Sequence, residues 1–160
     1  MTQPLALALL LLFASSVVAQ QPAQQAAPAG PPLYNDLGTH KKTVTTRAPL
    51  AQQYFDQGLR LVYGFNHAEA IRSFQRATEL DSTCAMCWWG IAYAYGPHVN
   101  AGMDSASGVK AYEAVQRALS ASSGVSERER AYISKGPTGI GTRLLIQFLI
   151  DHAENPRSWS

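Results

Sequence analysis

The residues of this chain that could do chemistry gather in one short stretch. Cys84 and Cys87, its only cysteines, lie three apart in "LDSTCAMCWWGIAYAYGP", residues 80–97. That spacing suits three chemistries. A helix N-terminus lowers a thiol's pKa and favours the reactive thiolate of a redox couple. Together with His98 and Met103, the two sulfurs form a set that copper(I) accepts, whereas zinc would not choose the Met. In an oxidising compartment, two lone cysteines bond to each other. The redox motif usually sits beside a strand, and no strand is legible near it. Covalent haem attachment places His directly after the second Cys, and Trp88 stands there. The structural reading, buried thiols or a local disulfide, requires no metal and no cofactor. A redox, metal or haem role for Cys84, Cys87 and His98 is the alternative. His40, His67, His98 and His152 show no paired spacing, and no nucleophile elbow, phosphate loop or His-Glu-x-x-His pattern occurs. A protein without catalysis is expected.

The elements around this stretch read as helices. Pro49 suits a first helical position and Gly64 a stop. Asn66, with Glu69 three residues on, opens a second helix in which Ala70, Ile71, Phe74 and Ala77 recur at helical spacing. Ser82 or Thr83 caps a third helix, which ends at Gly96-Pro97. Asp104 or Ser105 opens a fourth, and Ser126 with Glu129 forms a capping box for a fifth. Only "KKTVTT", residues 41–46, resembles a strand, and it reads as an extended lead-in. The expected fold class is all-α.

Short helices joined by short turns prompt a search for repeats. Residues 51–84 resemble one tetratricopeptide repeat of 34 residues. Tyr54 takes the aromatic position, Gly58 the helix crossing, Leu61 packs beside it, and Ala70, Phe74 and Ala77 form the second-helix signature. A second unit, 85–125, places Trp88, Ala92 and Tyr95 at equivalent positions, with extra residues in "GPHVNAGMDSASG". Residues 126–135 resemble the first helix of a third unit. The resemblance implies antiparallel helix hairpins stacked into a short α-solenoid over 49–135, similar to exported bacterial tetratricopeptide proteins. A hairpin cannot cover its own apolar face, so stacking should bury Trp88, Ile91 and Tyr95 against Phe74 and Ala77.

The ends differ in composition. Residues 1–19 carry an apolar run followed by small residues, as a signal peptide does, with cleavage expected after Ala19. The run is short for a membrane span. Residues 20–48 read as a Gln/Ala/Pro-rich disordered tether and an extended lead-in. Residues 136–160 form an atypical tail, in which Leu144, Leu145, Phe148 and Leu149 share one face. The tail is either a capping helix or an unfinished end. The formal charge of +2 is scattered, which argues against nucleic acid and anionic membrane partners. Localisation is expected to be periplasmic or extracellular.

The resemblance also implies a function: a concave face of first helices that binds protein or peptide partners. Phe55, Leu59, Val62, Tyr63 and Trp89 are its expected groove residues. Phe55 and Leu59 stand where carboxylate-clamping repeats carry Lys and Asn, so an aromatic groove is expected. The lead-in or the tail could fill it. His98, Asn100 and Met103 are candidate contacts in the insert.

Overall fold

The computed structural model describes residues 30–98 and 103–135. Among these residues the fold is all-helical, with no β-strand. The helices are α1 Pro49–Tyr63, α2 His67–Leu80, α3 Ala85–Tyr95, α4 Ser105–Ser120 and α5 Glu127–Lys135, with a single 3-10 turn at Ser122–Gly124 before α5. The proposed signal peptide, residues 99–102 of the insert (Asn100 included) and the tail lie outside the described residues.

The helix ends follow from local chemistry. Pro49 opens α1, where its missing N–H costs nothing. The helix closes with paired bonds from the Phe65 N–H to the Val62 carbonyl and from the Asn66 N–H to the Leu61 carbonyl. Gly64 ends the helix, as its type suggests, yet the left-handed residue is Phe65, at φ 59°. Asn66 then caps α2 by accepting from the Glu69 N–H. Cys84, one or two residues past the expected Ser82 or Thr83, caps α3 through its sulfur. Asp104 caps α4. Ser126 and Glu129 bond reciprocally at the start of α5, completing the capping box.

α1 packs along α2 and α3 along α4, while α2 joins the two pairs and α5 rests on α3 and α4. Phe74 sits at the centre, fully buried, with its ring tilted against Phe55 at 5.6 Å. Gly58 of α1 and Gly90 of α3 face this ring. A Cβ at either would lie 2.6 or 2.5 Å from ring carbons. The three helices approach closely because these two positions carry no side chain. Tyr54, Leu61, Ala70, Ala77 and Ala92 are buried in the same core. Trp88 and Tyr95 pack against its rim, each partly buried.

Residues 30–48 contain no regular element and are nonetheless anchored to the helices at separate points. Pro31 and Val44 are buried. From Gly30 onward, the end of the expected tether and the extended lead-in are therefore held to the folded unit by side chains described below.

Candidate functional site

The expected groove residues require correction. Phe55, Leu59, Val62 and Trp89 are buried, and only Tyr63, at 56% exposure, faces solvent. The cause is that α1 is covered from two sides. α2 packs on one side, and α3 together with the lead-in covers another, so both of its apolar stripes lie inside. The two tryptophans also exchange roles. Trp89 is enclosed between Tyr93, at 5.1 Å, and Tyr132, at 5.8 Å. Trp88 instead borders an outer cleft of about 550 Å³ with Ile91, Tyr95, Lys110, Glu113 and Arg117. Its indole N–H donates to the Ser82 carbonyl, and the Arg117 guanidinium lies 5.1 Å from its ring.

The cysteines form a disulfide between Cys84 and Cys87, and both are fully buried. His98 stacks on His67 at 4.1 Å, a pairing that linear spacing did not reveal. Among the described residues, no group of three or more His, Cys, Asp or Glu is placed to hold a metal ion.

What the structure assembles is a set of polar side chains gripping an extended piece of the same chain. Gln57 takes the carbonyl of Pro32 with its amide N–H and the N–H of Tyr34 with its amide oxygen, at 2.9 and 2.8 Å. Gln52 does the same to Lys42 and Val44, both at 2.9 Å. Each glutamine spans a carbonyl and the N–H two residues later, the pattern an extended backbone presents. Asp56 accepts from the Lys42 N–H. Beyond α1, the Thr45 N–H and hydroxyl both donate to Glu129 of α5, at 2.6 Å. The Thr46 hydroxyl and the Arg47 N–H donate to Asp81, between α2 and α3, at 2.6 and 2.7 Å. The segment thus ties three helix boundaries together.

These contacts set the charge state of the carboxylates. Burial alone would raise the Asp81 pKa. Hydrogen bonds from the Thr46 and Thr83 hydroxyls and from the N–H groups of Arg47 and Thr83 outweigh it and lower the value to about 2. At Glu129 burial also pushes upward, and donors on Thr45 and Ser126 bring the net shift below the ordinary range.

Beside this segment lies an aromatic corner. His40 meets the Tyr63 ring edge-on at 5.4 Å, and the Lys42 ammonium lies 3.7 Å from the Tyr132 centroid. Among the described residues, the buried Trp89 indole N–H has no hydrogen-bond partner.

Sequence reasoning missed Gln52, Asp56, Gln57, Asp81 and Glu129 as contact residues. The available signal was a polar pair, Asp56-Gln57, inside the apolar sequence Tyr54 to Leu59. Both are buried, and a buried polar group requires a partner. No protein-family model matches the chain, and no curated protein or solved structure matches it.

Proposed function

We propose that this chain is an exported, tetratricopeptide-type helical scaffold that binds extended segments of protein or peptide partners and carries out no catalysis. One observation carries the reading: Gln52 and Gln57 of α1 each clamp an extended backbone through both of its polar groups. Such a clamp reads backbone, so it serves any segment of suitable shape. The paired helices α1–α2 and α3–α4 support the repeat reading, with α5 as the first helix of a third unit. The Cys84–Cys87 disulfide supports export to an oxidising compartment. No helix among the described residues is long and apolar enough to cross a membrane.

The test is selection from a displayed library of random peptides on the immobilised full chain, repeated with Gln52→Ala. The expected result is an enriched set of sequences that bind the parent chain and lose affinity for the variant. Enrichment of no sequence, or of sequences indifferent to Gln52, would refute the reading. Intact mass after expression with export checks cleavage after Ala19.

A further inference from the structure

We propose that the face formed by α1, α5 and the α2–α3 turn recognises extended, basic, threonine-bearing segments of a partner protein. The chain's own "KKTVTTR", residues 41–47, occupies it as an internal stand-in. The proposal rests on the peptide-scaffold reading and names its ligand class.

The chemistry of the face defines what it accepts. Four backbone N–H groups of the segment, at Lys42, Val44, Thr45 and Arg47, all end on side-chain oxygens, those of Asp56, Gln52, Glu129 and Asp81. Three of the four acceptors are carboxylates, and all three are buried. Among the described residues none of the three forms an ion pair. A buried carboxylate is expensive unless donors or a cation answer it. Here the donors are N–H groups and the two threonine hydroxyls; the segment also carries Lys41, Lys42 and Arg47, and the Lys42 ammonium lies over the Tyr132 ring. Val44 supplies the apolar anchor, buried between these polar contacts.

None of the bonds is specific to the covalent connection. The segment makes no backbone-to-backbone bond to the helices. Every hydrogen bond from the segment to the helices and the α2–α3 turn uses a main-chain group or a hydroxyl that another Val-Thr-Thr sequence with basic flanks would present in the same order. A tethered segment competes at an effective concentration of about millimolar. An outside segment therefore binds the parent chain weakly, and loosening the internal one exposes the site.

The test uses the full chain and a fluorescein-labelled peptide copying residues 40–48, "HKKTVTTRA", read by fluorescence anisotropy. The double variant Thr45→Val with Thr46→Val removes both hydroxyl donors and keeps side-chain shape. The expected result is at least tenfold tighter peptide binding to this variant than to the parent. Adding Asp81→Asn, or raising the salt, should weaken it. Equal affinity for parent and variant, or equal binding of a scrambled peptide, would overturn the proposal. So would a concentration-dependent dimer without peptide uptake, which would assign the face to exchange between copies. Should the double variant not fold, by circular dichroism, the parent decides: millimolar peptide must accelerate hydrogen exchange at the Val44 amide, and no acceleration overturns the proposal. Library peptides that bind while this peptide does not would sink the ligand class and leave the scaffold reading standing.

Discussion

Substituting Gly90→Ala probes the packing that holds the helix pairs together. The new Cβ would lie 2.5 Å from Cδ1 of Phe74, far inside contact distance. The ring has no retreat, because Gly58 stands as close to it and Phe55 packs against it. Overpacking a core in this way costs about 1–3 kcal/mol. Alanine favours a helix interior over glycine by about 0.5–1 kcal/mol. The expected net loss is therefore about 0–2.5 kcal/mol, even though propensity alone predicts a gain. Urea denaturation followed by circular dichroism measures it. Gly124→Ala, whose Cβ would meet nothing within 4 Å, is the control and should be nearly neutral. Adding Phe74→Leu should relieve the Gly90→Ala clash, giving a favourable coupling of about 0.5–3 kcal/mol in a double-mutant cycle. A Gly90→Ala chain more stable than the parent by the roughly 0.5–1 kcal/mol that helix propensity alone supplies would refute the close approach of α1, α2 and α3.

Two further outcomes are expected. Asp81, lowered from 3.8 to about 2 on folding, contributes stability that is complete above pH about 4 and is lost as pH falls toward 2, with Glu129 acting in the same direction; urea midpoints across that window should fall steeply in the parent and less in Asp81→Asn. Phe65, exposed and left-handed at φ 59°, bears a strain of about 1–2 kcal/mol that glycine escapes; Phe65→Gly should therefore raise stability by about 0–1.6 kcal/mol after its unfolded-state entropy is counted, and a loss in the same denaturation assay would contradict the αL assignment.

The helices were legible because their signals are local. Pro49, Asn66, Asp104 and the Ser126–Glu129 box each act within one turn, and each begins the helix its type implies. The core positions Phe74, Ala70 and Ala77 followed from a periodicity that burial enforces. Assigning faces to the two tryptophans failed, because α3 is apolar nearly all round and its sequence has no polar side to orient it. The gripping side chains were hidden for a different reason. Thr45 bonds to a residue 84 positions away, and Arg47 to one 34 away. No local pattern encodes such pairings. Residues 30–32, read as the end of the tether, looked disordered because their own composition buries little. Their order comes from acceptors that other elements supply.

The central claim is that side chains of α1, α5 and the α2–α3 turn hold an extended backbone. Amide hydrogen exchange on the full chain tests it most directly. The account predicts protection at Lys42, Val44, Thr45 and Arg47, whose N–H groups are bonded, with Gln52→Ala releasing Val44 first. Exchange at all four amides at the rate of an unstructured peptide would contradict it.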